Sequence, residues 1–205
     1  MALLDYMEAS KLLGRYGMHS IESRYVGSAA DAVRFSDGKP IVLKVLSGKA
    51  LHKSKAGLVR LNLSGRNEIE AAYRELRRKA QPLKPYKIIA QAMSSNGVEI
   101  IIGGRDDPQF GKVVLIGLGG IYVDLFRDFA MGIAPLTRRD ASGMLNQLKS
   151  RQIITDEGRN SAELESLLLR VSRLLQDNGS IKELDLNPVI ITKSGYQIVD
   201  IRILK

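Results

Sequence analysis

The sequence predicts an α+β fold built on antiparallel sheets, and three observations carry that reading. Helix-like and strand-like segments are mixed without the regular β-α-β-α alternation of a doubly wound parallel sheet. Two places read as hairpins: Asn96-Gly97, and the turn Lys193-Ser194-Gly195 between strand-like runs at 189–192 and 196–201. With 205 residues the chain can bury a substantial core, as one large domain or two small lobes. The proline-containing stretch 81–85 is the best boundary, giving lobes at 1–85 and 86–205.

The elements follow in order. Residues 5–16 place Ala9, Leu12, Leu13 and Tyr16 on one helical face, with Gly17 as the C-terminal stop. A short helix over 29–35 precedes an Asp37-Gly38 turn. Pro40 introduces Ile41-Val42-Leu43-Lys44-Val45-Leu46, an apolar strand carrying one lysine. Gly48 and Gly57 bracket a polar loop, and a strand over 58–63 follows. Residues 67–80 are helical, with Ile69, Ala72, Tyr73, Leu76 and Ala80 inward. Strands are expected at 86–93, 98–103 and 112–116, the first two joined by Asn96-Gly97. Thr137 and Asp140 fit a capping box, opening a helix with Ala141, Met144, Leu145 and Leu148 as its apolar positions. A last long helix follows Asn160, with Leu164, Leu167, Leu168, Val171, Leu174 and Leu175 as its buried stripe.

Composition narrows the chemistry. No apolar run approaches the roughly 18 residues that span a membrane, and the N-terminus lacks a signal-peptide pattern, so a cytoplasmic location is expected. Zero cysteines exclude disulfides and thiolate metal sites, and two histidines are too few for a typical zinc site. Any metal is therefore expected to be oxygen-bound. A net charge of +9 invites a nucleic-acid reading. Aromatic residues make up only 5% and tryptophan is absent, so a stacking platform for single strands is poorly supplied. The positive field suits nucleotides, acyl phosphates and coenzyme A equally well.

The C-terminal end carries the most specific signal. The second predicted hairpin can bring Asn187, at its entrance, near Asp200, toward its exit. An amide oxygen beside a carboxylate suits Mg²⁺, which takes one or two protein ligands and completes its shell with phosphate oxygens and water. A turn-initiating Asn-Pro and an exposed strand aspartate would leave the same trace. Lys44 is the other outlier, because a lysine within an apolar strand is costly to bury unpaired and can otherwise snorkel to the surface.

Several segments in one order resemble a known family. They are residues 40–45 ahead of Leu51-His52-Lys53-Ser54, residues 97–103, Asp107-Pro108-Gln109-Phe110-Gly111, Gly117-Leu118-Gly119-Gly120-Ile121, Ala134-Pro135-Leu136, and Leu184-Asp185-Leu186-Asn187-Pro188 with Asp200. Over about residues 3–203 the chain resembles the ATP-grasp β subunits of ADP-forming acyl-CoA synthetases (acetate–CoA ligase, ADP-forming), relatives of succinyl-CoA synthetase β. The resemblance implies an ATP-grasp fold with ATP or ADP bound between the antiparallel sheets of two lobes. It implies Mg²⁺ on Asn187 and Asp200, Lys44 on the phosphates, and backbone groups of Gln91, Ala92 and Met93 on adenine. Glu99 would line the nucleotide cleft, and Gly119 and Gly120 would lie near the phosphates. His52 would help pass a phosphoryl group between nucleotide and a phosphohistidine on an α subunit that also binds coenzyme A.

Four positions depart from the family pattern. Lys55 stands in place of an aspartate, Leu58 of a second glycine, Asp124 of a glutamate, and Gly132 of a frequent arginine. Two functions remain open on these residues: an active phosphate-relaying β subunit, or a catalytically degenerate nucleotide-binding regulatory subunit.

Overall fold

The structure, a computed structural model, describes residues 2–48, 57–120, 128–155, 161–192 and 195–205. In chain order the elements begin α1 (Tyr6–Arg15), β1 (Ser23–Tyr25), α2 (Ala29–Ser36), β2 (Ile41–Leu46), β3 (Val59–Leu63), α3 (Arg66–Ala80) and β4 (Lys87–Ala92). They continue β5 (Val98–Asp107), β6 (Gly111–Leu118), β7 (Phe129–Ile133), α4 (Arg138–Gln147), α5 (Arg151–Thr155) and α6 (Ser161–Asp177). The chain ends with β8 (Glu183–Thr192), β9 (Gly195–Ile198) and β10 (Ile201–Leu204). Two compact units result: Ile21–Met93, and Met1–Ser20 together with Ser94–Lys205.

In the smaller unit an antiparallel sheet runs β1-β4-β2-β3. Because side chains alternate along a strand, Ile41, Leu43 and Val45 of β2 and Ile88 and Ala90 of β4 share one face. That face packs on Ala32 of α2 and Ile69, Ala72, Leu76 and Ala80 of α3. Leu58 joins this core, and its carbonyl accepts from the Val45 N–H at 2.9 Å. Arg60 on β3 pairs with Glu75 on α3, and Lys79 reaches the same carboxylate at 2.9 Å. Those two cations, Arg60 first, hold the Glu75 carboxyl down at about 2.

The larger unit is built on a sheet in the order β10-β8-β5-β6-β7, with β9 also paired to β8. Its helix-backed face carries Ile100, Ile102, Val114, Ile116, Leu184 and Leu186, all buried. The predicted leucine stripe of α6 is buried, and a Cβ on Gly104 would lie 2.5 Å from Leu175 Cδ1, so that glycine permits the close approach. The capping box at Thr137 forms as expected, with Thr137 N–H donating to Asp140 at 2.8 Å and the Asp140 N–H donating to Thr137 Oγ1 at 3.2 Å.

Two expectations are corrected. No hairpin forms at Asn96-Gly97: β4 pairs with β1 and β2, whereas β5 pairs with β6 and β8. Gly97 serves a close approach instead, since a Cβ there would lie 2.1 Å from the Ile191 carbonyl oxygen. The hairpin partner of β5 is β6, across a turn in which Asp107 Oδ1 accepts from the Gln109 and Phe110 N–H groups. The division of the chain also differs from 1–85 and 86–205. β4 completes the smaller sheet, which moves that boundary to 93/94. Residues 1–20 belong with the C-terminal part, because Ala2 and Leu4 bond to Lys205 and Ile203 along the edge of β10.

Candidate functional site

The terminal strands assemble the first half of the site. β8 pairs with β10 over Glu183–Leu186 and with β9 over Val189–Thr192, so two strand partners meet a single long strand. At the junction β8 bulges against β5, three residues advancing from Leu186 to Val189 where β5 advances two. Asn187, preceding a cis Pro188, occupies that bulge, and Asp200 occupies the gap between β9 and β10. The Asn187 N–H donates to the Asp200 carbonyl at 3.3 Å, and Val199 N–H donates to Pro188 O at 3.0 Å. These bonds make 187 and 200 cross-strand neighbours, as the hairpin reading expected. Asn187 is exposed and Asp200 half-buried.

Alternation places Asp185 on the same sheet face as Asn187, opposite Arg202 and Gly103. Sequence reading passed over this carboxylate, although its spacing of two from Asn187 was the available signal. Among the described residues no group of three or more histidine, cysteine or acidic side chains is arranged to hold a metal. What the structure offers is a pair of hard oxygen donors, amide and carboxylate. That set fits Mg²⁺, whose remaining ligands come from phosphate and water.

Glu99 and the glycine pair are also brought together. Gly119 N–H donates to the Glu99 carbonyl at 2.8 Å. A Cβ on Gly119 would stand 3.0 Å from that carbonyl, and one on Gly120, at φ 69°, would stand 3.0 Å from Glu99 Oε2. Gly119 suits the close approach of the strand end to the Glu99 backbone, and Gly120 suits its left-handed φ; of the two, Gly120 is exposed and leaves backbone accessible to an anion.

The smaller unit supplies Lys44, Gln91, Ala92 and Met93. Lys44 sits in the middle of β2, opposite Val59 and Ile89, only 7% exposed and on the face turned away from the helical core. Val42 and Gln91 are register partners on that same face. The Gln91 carboxamide is fixed by donation to Ser23 Oγ at 3.0 Å, and Ser23 Oγ donates in turn to Ile21 O at 2.9 Å. Ser23 was not singled out from the sequence, because three-residue β1 has too short a run to declare itself. Ala92, whose N–H donates to Glu22 O, and Met93 end this unit.

His52, Lys55 and Asp124 lie outside the described residues. Two other departures acquire a structural meaning. Leu58 is a core residue. Gly132 lies opposite buried Val114, and a Cβ there would stand 2.7 Å from Leu136 Cδ2 and 2.8 Å from Met144 Sδ. The side-chain direction at 132 is thus toward the packed interior under α4.

A family model for the ATP-grasp domain matches residues 1–204. The chain belongs to the ATP-grasp family. Within it, the chain is 34% identical over 216 residues to the β subunit of acetate–CoA ligase [ADP-forming] II from Pyrococcus furiosus, covering 99% of this chain and 91% of that one. It is 39% identical over 190 residues to acetate–CoA ligase [ADP-forming] I from Archaeoglobus fulgidus, covering 89% of this chain but only 27% of that longer protein. The structure of acetyl-coenzyme A synthetase 1 from Ca. Korarchaeum cryptofilum, with coenzyme A and Ca-AMPCP, superposes with a TM-score of 0.91 at 37% identity. That match covers 98% of this chain and 93% of that one. Another structure of that enzyme holds coenzyme A and Mg-AMPPCP, with its phosphohistidine segment pointing towards the nucleotide binding site. Among the described residues no helix is long and apolar enough to cross a membrane.

Proposed function

We propose that this ATP-grasp chain is the nucleotide-binding β subunit of an ADP-forming acetate–CoA ligase, working with an α subunit that binds coenzyme A and carries a phosphohistidine. The reaction interconverts acyl-CoA, ADP and phosphate with free acid, coenzyme A and ATP. The observation that carries this reading is the pairing of Asn187 with Asp200 at a coincident bulge and strand gap. Mg²⁺ bound there would neutralise phosphate charge, the chemistry that phosphoryl transfer chiefly needs.

The chain's own residues then divide the work. Asn187 and Asp200 hold the metal-bound end of the nucleotide. Lys44 places its ammonium against phosphate in a setting from which water is largely excluded. Gly119 ties the strand end to Glu99 through its N–H, and the exposed backbone at Gly120 is left to approach an anion. Backbone groups of Gln91, Ala92 and Met93 bond adenine, with the Gln91 side chain anchored on Ser23. His52 assists transfer of the phosphoryl group to and from the partner's histidine.

Purified chain with its α partner should form ATP from ADP and phosphate only when acyl-CoA is supplied. Failure of that assay, with Mg·ADP still raising the melting temperature, would leave the second reading, a regulatory nucleotide-binding subunit. Lys55, which reverses a charge beside His52, is the residue that favours the second reading. Phosphate incorporation at His52 excludes it.

A further inference from the structure

The smaller unit carries a second concave surface, on the side of its sheet opposite Lys44. Val26 bonds through its N–H to Ile88 O, and both side chains belong to the helix-backed core rather than to the Lys44 face. Beside them opens a cleft of about 710 Å³, within the size range of small-molecule sites. Its walls come from α3, through Tyr73 and Arg77, and from the segment after it, through Lys84, Pro85 and Tyr86.

The chemistry of those walls is one-sided. Arg77 and Lys84 form no ion pair among the described residues, yet both line the same hollow. No acidic residue lines it. The nearest carboxylate influence comes from Asp31, which is already engaged by the Ser28 side chain and the Arg34 guanidinium, and which accepts from the Gly27 N–H at 3.2 Å. Tyr86 is held in place by the Gln81 carboxamide, which donates to its hydroxyl at 3.1 Å.

Tyr73 adds a third polar group. Its ring is packed into the core, the residue being 5% exposed, while its hydroxyl lies at the cleft, makes no hydrogen bond among the described residues and is not buried away from solvent. Burial raises the Tyr73 pKa, so the group stays a neutral donor at physiological pH. A donor hydroxyl, a guanidinium and the Lys84 ammonium therefore line one hollow, with Lys87, whose Nζ lies over the Tyr25 ring at 4.4 Å, as a further cation on its wall.

We propose that this cleft is a second ligand site, specific for a small organic phosphate whose ring or apolar part lies along Val26, Pro85 and the tyrosine rings. Phosphate is favoured over carboxylate because its three free oxygens and near-double charge suit a wall with three basic residues, Arg77, Lys84 and Lys87, and a phenol. Arg77 offers a paired N–H fork, the geometry that suits phosphate. The site shares no residue with the nucleotide site proposed above, so it stands whether or not that reading holds. Occupancy would brace α3 against the segment that leads into β4, the strand bearing Gln91.

The probe is phenyl phosphate, followed by saturation-transfer NMR and titration calorimetry on the full chain, with and without saturating Mg·ADP. Binding of phenyl phosphate more tightly than phenol or inorganic phosphate is expected. It should weaken at least tenfold in Lys84→Ala, an exposed position whose loss leaves the fold intact, and in Arg77→Ala. Tyr73→Phe keeps the ring and its packing, and should weaken binding several-fold. The proposal is overturned if phenyl phosphate fails to bind at millimolar concentration, if it binds no better than phenol or inorganic phosphate, or if Lys84→Ala and Tyr73→Phe bind it as wild type does.

Discussion

The two units place their site residues in opposite kinds of backbone. In the smaller one, Lys44 lies mid-strand between Val59 and Ile89, and its position is held by a ladder to β4 that runs without a break from Ile41 to Leu46; the register shift against β3 falls earlier, between Ile41 and Leu43. In the larger one, Asn187 and Asp200 sit where the ladder fails, at a bulge and between two strands. A regular ladder suits a residue that needs only burial and a fixed direction. Metal ligands must converge on one point from two strands, and an interruption supplies the freedom to aim them.

The largest effect separating these regions should come from the larger unit. Asp200→Ala removes one of only two protein ligands for the metal. Mg·ADP should then cease to raise the melting temperature, and acyl-dependent ATP formation should fall by on the order of 10²-fold or more. Asn187→Ala should do the same to a lesser degree. Retention of full Mg·ADP stabilisation in Asp200→Ala would remove the metal assignment.

Lys44→Met tests the other side of the comparison. Losing a charge-assisted contact to phosphate should weaken ADP binding by roughly 10- to 100-fold, corresponding to about 1.5–3 kcal/mol. Calorimetry reads the ADP affinity and thermal melting of the nucleotide-free protein reads intrinsic stability, so the two effects of the substitution are measured separately. A drop in intrinsic stability without loss of ADP affinity would make Lys44 a structural residue.

How much of this was legible in the sequence depended on whether the signal was local. The long helices declared themselves through leucine spacing, and the capping box at Thr137 through two residues. The juxtaposition of Asn187 and Asp200 was readable because the strands joining them are close in sequence. The partner of β5 was not readable, since Asn96-Gly97 carries a turn signature while Gly97 is in fact a glycine because Ile191 passes over it. Strand β7 escaped notice because its glycine and its alternation of exposed Phe129, Met131 and Ile133 run against the usual polar-out pattern. Unit membership of residues 1–20 was likewise hidden, being decided by pairing with the far end of the chain.

Gly132 sharpens that lesson. From sequence alone it reads as a lost arginine, a functional deficit; in the fold it is a packing residue. Gly132→Arg should therefore destabilise the protein by about 1–3 kcal/mol, by overpacking against Leu136 and Met144, without raising activity. Denaturant unfolding measures the first and the coupled ATP-forming assay the second. A gain in rate at unchanged stability would restore the functional interpretation.

The smallest effect belongs to the smaller unit's support rather than to its site. Glu75 joins α3 to β3 through Arg60 and Lys79, and its carboxyl is held at about 2 against an ordinary value of 4.5. A folded-state pKa depressed in this way contributes stability that is complete above the unfolded value and is lost as pH falls through the folded one. Glu75→Gln, which has already lost that contribution, should be less stable than wild type at neutral pH. The gap should close as pH is lowered from about 4.5 to about 2. Because the pair is partly exposed, the gap should be modest and should shrink in high salt. A gap independent of pH would show that Glu75 acts through packing, leaving β2 and its lysine braced by the apolar core alone.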